Sequence, residues 1–204
     1  MVTRTKDELK AIKPEQALQF LKDGNLRFLE NQGKDHPYLS QVDATSDGQQ
    51  PFAVVLGCID SRVPPEVIFD LGIGDVFSIR IAGNFVNEDI LGSMEFAAKV
   101  VGSKHFLVLG HTSCGAVQGA YQDVELGNLT GLLEKIKPAV DKVREHSEQG
   151  QELDINEIAK ENVLLTIQEI KSRSPILKEM VENGEIGLSG AMYNVGTGKV
   201  TFFE

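Results

Sequence analysis

The chain has 204 residues, 41% hydrophobic and 25% charged, with a formal net charge of −10. That composition excludes wholesale disorder and a fibrous repeat, and a chain of this length buries a core without a disulfide scaffold. The acidic excess repels a phosphate backbone and argues against nucleic acid as a partner. No apolar run reaches the ~20 residues of a membrane span. Met1 to Lys13 is charged and lacks an apolar signal core, so no membrane partner and a cytoplasmic location are expected.

Pro14 suits a first helical position, and Ala17, Leu18, Leu21 and Phe28 recur at helical spacing, which predicts an amphipathic helix. The polar stretch 31–50, with Gly33, Pro37 and Gly48, reads as loop. Phe52 to Leu56 is a continuous apolar run, the pattern of a strand buried on both faces. Pro64-Pro65 then marks a turn, followed by a short helix. Val76 to Ile81 reads as a second strand. Asp89 to Val101 reads as a helix with Leu91, Met94, Ala98 and Val101 on one stripe, and His105 to Leu109 as a third strand. Strands alternating with helices predict an α/β fold with a mostly parallel central sheet flanked by helices. Helices are expected at about 129–146, 154–172 and 175–183. Gly187 to Phe203 reads as a C-terminal hairpin turning at Gly196-Thr197-Gly198. No repeat or linker interrupts the chain, so 1–204 is expected to be one domain.

In parallel sheets, ligands bind at the carboxyl ends of the strands. The first strand ends in Gly57-Cys58-Ile59-Asp60-Ser61-Arg62 and the third in Gly110-His111-Thr112-Ser113-Cys114-Gly115. The only two cysteines, a histidine and an aspartate therefore share one sheet edge. Each alone is ordinary: a core thiol, a satisfied histidine, a turn aspartate. Together they are the side chains that zinc prefers. A Cys–His nucleophilic pair is a rival use of the same residues, but it leaves the second cysteine unexplained. In an extended segment Asp60 and Arg62 would lie on one side, where a bidentate pair is feasible.

These two motifs, with Arg80-Ile81-Ala82-Gly83-Asn84 and Gly92-Ser93-Met94-Glu95-Phe96-Ala97, resemble the beta-class carbonic anhydrases. The resemblance spans about residues 14–203. It implies a zinc enzyme that interconverts carbon dioxide and water with bicarbonate and a proton. Cys58, His111 and Cys114 stand where the family has its zinc ligands. Asp60, held by Arg62, would orient the attacking hydroxide, or in a closed state become a fourth ligand. Gln49, Phe77 and Phe96 match substrate-pocket positions reached across a subunit boundary, Phe96 where tyrosine is frequent and Ala82 where valine is. The Gly115 N–H is a candidate donor to a substrate oxygen. An N-terminal helical arm (1–31) packing on a second subunit, and a homodimer or dimer of dimers, are implied too. Val55 stands where the bicarbonate-inhibited branch carries tryptophan, and the chain has no Trp, so that inhibition is not expected. Arg80 is expected to pair with a carboxylate instead. His36, His105 and His146 read as structural or surface residues. Two alternatives share the motif: a hydrolase of a related small heterocumulene such as carbon disulfide, and a non-catalytic zinc-stabilised protein with Asp60 permanently on the metal. The second needs neither Arg62 nor Gln49.

Overall fold

The computed structural model describes residues 3–148 and 150–203. Its centre is a five-stranded sheet in the order β2-β1-β3-β4-β5. The strands are β1 (Ala53–Gly57), β2 (Val76–Arg80), β3 (His105–His111), β4 (Gly187–Tyr193) and β5 (Val200–Phe202). The first four pair in parallel and β5 returns antiparallel to β4. The expected C-terminal hairpin is this pair. Its turn is held by Asn194 Oδ1, which accepts from the N–H groups of Gly196 and Thr197 at 2.8 and 3.1 Å.

β1 and β3 are buried along their whole length, which explains their unbroken apolar sequences. Alternate residues feed different layers. Ala53, Val55, Leu107 and Leu109 face a core shared with the N-terminal helices, through Leu9, Ala17 and Leu21. Val54, Leu56, Phe106 and Val108 face a core built with α5 (Glu88–Glu95), α9 (Ile155–Arg173) and α10 (Pro175–Glu182).

The first two helices are α1 (Lys6–Ala11) and α2 (Pro14–Leu29). A capping box between Thr5 and Glu8 starts α1. The apolar stripe of α2 is spent on its own chain: Ala17 and Leu21 are buried against this sheet. Asn25 fastens the helix further, donating to the carbonyls of Ile68 and Gly198 and accepting from Val200 N–H. Only Phe20, Leu26 and Leu29 of this segment remain exposed apolar surface. Part of the stripe expected to pack on a second subunit is thus buried within this chain, and these three side chains are what the segment leaves outside.

Two other expectations change. Within the expected loop 31–50 lies α3 (Tyr38–Ala44). Its single buried residue is polar: Gln41 accepts from Ile73 N–H at 3.0 Å, while Leu39 and Val42 point outward. That pattern is the reverse of an amphipathic signal. The long helix expected at about 129–146 is two, α7 (Gly127–Leu133) and α8 (Lys137–Glu145), with Pro138 in the first turn of the second; a proline there has no N–H to continue a preceding helix. The short helix after Pro64 is α4 (Pro65–Ile68). α5 runs on as a π-helical stretch, Phe96–Val101, closed by Gly102. Helix α6 (Gly115–Tyr121) follows β3 directly. Among the described residues, no helix is long and apolar enough to cross a membrane.

Candidate metal centre

Chain order and sheet order diverge at β1. The chain moves from β1 to β2 on one side, then crosses back to β3 on the other. Such a switch leaves a crevice outside the carboxyl ends of the two central strands. Cys58 follows β1, His111 ends β3, and Cys114 is the N-cap of α6. Their ligand atoms all lie within 4.8 Å of one another, and all three residues are buried. His111 Nδ1 lies 3.0 Å from the carbonyl of Thr112. A carbonyl only accepts, so Nδ1 carries the proton and Nε2 presents a lone pair. That Nε2 is buried and has no hydrogen-bond partner.

The sulfurs interact with each other. Donation from the Cys114 thiol holds Cys58 well below the usual thiol range, against the cost of burial, with the N–H groups of Gly83 and Asp60 adding to it. The same bond, together with burial and the neighbouring negative charge, pushes Cys114 up. Two buried cysteine sulfurs beside an imidazole lone pair with no donor are the donor set of a soft, tetrahedral cation such as zinc. The residues fit that ion.

Asp60 lies beside this group, clamped by Arg62. Its Oδ1 accepts from the backbone N–H and Nε of Arg62 at 2.9 and 3.0 Å, and its Oδ2 from an Nη at 2.8 Å. This pairing holds the carboxyl far below the ordinary carboxylate range. The segment is not extended, as the sequence suggested. Val63 N–H donates to the Asp60 carbonyl, which closes a turn. A cavity of about 550 Å³ opens on Cys58, Asp60 and Gly115, and the rest of its wall is largely apolar: Ile59, Ala82, Ala116, Val124, Leu129 and Leu133.

Among the glycines of the two motifs, only Gly110 is required by a close approach. A Cβ there would meet Val163 Cγ2 and Met192 Sδ at 2.6 Å, so its absence lets α9 press against β3. Gly57 and Gly115 have room, and at Gly115 that room is the cavity.

The remaining candidates lie elsewhere in this chain. Gln49 is exposed in the loop before β1. Phe77 and Phe96 meet edge to face, centroids 6.3 Å apart, and neither lines the cavity. Arg80 does not take a carboxylate. It donates to the backbone carbonyls of Cys58 at 2.9 Å and Asp60 at 2.6 Å. Its register opposite Gly57 puts it there, and a lone sequence does not show that register. The other histidines, expected to be structural or surface residues, lie away from the group: His36 bonds Asp70, exposed His146 bonds the carbonyl of Lys142, and buried His105 bonds Ser189 through Nε2 while its Nδ1 has no partner. Burial drives His105 down to about 4. Two further residues near the site, Asn156 and Asn162, escaped the sequence reading. The available signal was asparagine inside a helix, where it is a poor helix former and needs a reason.

Fold and site define an α/β protein with a Cys–His–Cys group that could hold a metal ion at the carboxyl edge of a mostly parallel sheet. Residues 53–200 match the family model described as carbonic anhydrase. Carbonic anhydrase 2 of Mycobacterium tuberculosis is 35% identical over 194 residues, covering 91% of this chain and 91% of that protein. A carbonic anhydrase of Mycolicibacterium smegmatis is 32% identical over 194 residues, covering 92% of each. Among solved structures, the beta-carbonic anhydrase CcaA aligns with a TM-score of 0.75 at 25% identity, over 93% of this chain and 88% of that one. The Coccomyxa beta-carbonic anhydrase in complex with acetazolamide gives 0.71 at 27%, over 91% and 86%. The chain belongs to the carbonic anhydrase family and, within it, to the beta class.

Proposed function

We propose that the protein is a zinc-dependent carbonic anhydrase that hydrates carbon dioxide reversibly to bicarbonate and a proton. The observation that carries this is the partnerless Nε2 of buried His111 beside two cysteine sulfurs, next to a carboxylate locked on an arginine. Cys58, His111 and Cys114 would hold the ion, which when bound supplies the Lewis acidity that makes hydroxide available from water near neutral pH.

The chain's own groups do the rest. Asp60 stays ionised because Arg62 holds it, so it can only accept a hydrogen bond. It therefore takes the proton end of the attacking hydroxyl and leaves a lone pair for the substrate. Carbon dioxide is linear and apolar, and the aliphatic wall of the cavity suits it. The Gly115 N–H, at the start of α6 on the cavity wall, would donate to a substrate oxygen as negative charge develops there.

Gln49, Phe77 and Phe96 do not line the cavity of their own chain. We assign them to substrate contacts made across a homodimer, in which each copy completes the other's site, with a dimer of dimers as a further state. Tetrameric beta-carbonic anhydrases of Sordaria macrospora share this fold. A cytoplasmic location is part of the same proposal. A permanently closed, non-catalytic zinc site would need Asp60 turned away from Arg62, where this structure has both its oxygens engaged.

Metal analysis and stopped-flow carbon dioxide hydration on one preparation test the proposal. One zinc per chain and rapid hydration are expected. A zinc-loaded protein that leaves carbon dioxide hydration at the uncatalysed rate would refute it.

A further inference from the structure

The metal group sits on and beside turns with left-handed backbone, strained at Ser113. Ser113, between His111 and Cys114, has φ +54°, and Gly83, beside Cys58, has φ +78°. A non-glycine residue in the left-handed region persists only when its surroundings hold it there. Ser113 and Gly83 are held by the same helix. In the first turn of α9, Asn156 Oδ1 accepts from Ser113 N–H at 3.0 Å. Asn156 is itself fixed, because its N–H donates to the N-cap Asp154 at 2.8 Å. Farther along α9, buried Asn162 donates from Nδ2 to the Gly83 carbonyl at 2.7 Å. The N–H of the same Gly83 points at Cys58 Sγ, 3.4 Å away.

The Ser113 loop also meets the Asp60 clamp. The Ser113 carbonyl accepts from Arg62 at 3.3 Å. One bond from Asn156 thus bears on the loop between two donors and on the arginine that holds Asp60. The aliphatic part of α9 anchors this arrangement, since Val163 packs where Gly110 leaves room.

We propose that Asn156 and Asn162 are positioning residues for the metal centre: α9 braces the His111–Cys114 loop directly through Asn156 and, through Asn162, the Gly83 backbone whose N–H meets Cys58 Sγ. The inference rests on the zinc reading above. Groups that orient ligands from outside the coordination sphere typically change metal affinity by about 10–100-fold when removed.

The test uses the full chain with Asn156→Ala, Asn156→Asp and Asn162→Ala. The readouts are zinc retention against a competing chelator, the absorption spectrum of the cobalt(II)-substituted protein, and thermal unfolding. Asn156→Ala and Asn162→Ala are each expected to weaken zinc retention about tenfold or more and to shift the cobalt bands. Asn156→Asp keeps an acceptor for Ser113 N–H, so it should restore most of the affinity and the original bands. A purely structural role would lower the melting temperature without that spectral shift and without that rescue. Asn162 is buried, and should its variant fail to fold, the two Asn156 variants decide alone. Wild-type zinc affinity with unshifted bands in Asn156→Ala would overturn the proposal, as would an aspartate variant no better than alanine. A wild-type protein that retains no zinc would overturn the zinc reading itself, which separates the two failures.

Discussion

Asp60 and Asp70 are both aspartates held by an arginine, at opposite ends of one parallel sheet. Asp70, near the amino end of β2, is saturated. It accepts from Arg27 Nε at 2.5 Å, His36 Nε2 at 2.9 Å and the Lys34 N–H at 3.0 and 3.2 Å. It ties the end of α2 and the following loop to the sheet. Asp60 has one partner residue, faces a cavity, and sits beside a buried nitrogen with none. Cavity size does not separate the two ends: those touching Asp70 measure about 600 and 500 Å³, against about 550 Å³ at Asp60. What separates them is satisfaction. The Asp70 cluster closes its hydrogen bonds, whereas beside Asp60 the His111 Nε2 is left waiting, next to two sulfurs.

The largest effect should come from removing a waiting donor atom. Cys58→Ser or His111→Ala is expected to abolish most metal binding and nearly all hydration. Metal analysis beside stopped-flow assay checks this, and full occupancy in both variants would break the assignment.

Arg62→Ala comes next. It frees Asp60 without touching a sulfur or the imidazole, so metal content should stay at the wild-type level. Hydration should fall about a hundredfold, roughly 3 kcal/mol of transition-state stabilisation. Because Arg62 is half exposed, the melting temperature should barely move. Near-normal turnover in this variant would show that the Asp60 clamp is not part of the chemistry.

Asp70→Asn should do the opposite, costing stability and sparing turnover per folded molecule. Losing one partner of a partly buried pair is worth on the order of 3 kcal/mol, read from denaturant unfolding. The sign of its pH dependence follows from the depressed carboxyl of Asp70, for which Arg27, His36 and the Lys34 N–H outweigh the opposing cost of burial. A folded-state value below the unfolded one gives stability that is present above the ordinary aspartate range, ~3.9, and is lost as pH falls through the folded value. The variant should therefore show a shallower acid limb than the wild type. An Asp70→Asn protein of normal stability and impaired turnover would reverse the contrast between the two aspartates.

The smallest expected effect is an absence. Val55 is buried in the core where the bicarbonate-inhibited branch carries tryptophan, and Arg80 is occupied by two backbone carbonyls. Titrating bicarbonate at mildly alkaline pH should give no sigmoidal loss of activity. A steep cooperative fall would show that Arg80 leaves those carbonyls.

The sequence by itself determined the sheet and the identity of the donor group. β1 and β3 are apolar on both faces, and a run buried on both faces carries its own signature. Cys58 follows β1, His111 ends β3 and Cys114 caps the next helix, so locating the strands located the group. The hairpin was legible because its turn chemistry is local. Only the tertiary structure decided what depends on register and long-range polar contacts. Helix α3 exists through Gln41 reaching the N–H of Ile73, a bond that no periodicity announces. Arg80 took carbonyls because strand pairing set it opposite Gly57. The apolar stripe of α2 was visible, but what it packs on was not, since a stripe specifies burial and leaves the burying surface open. Asn156 and Asn162 are brought to the site by α9, from a part of the chain far from either motif. Hydrogen bonds between distant segments are chosen by the packed geometry, and they became readable only once that geometry was in place.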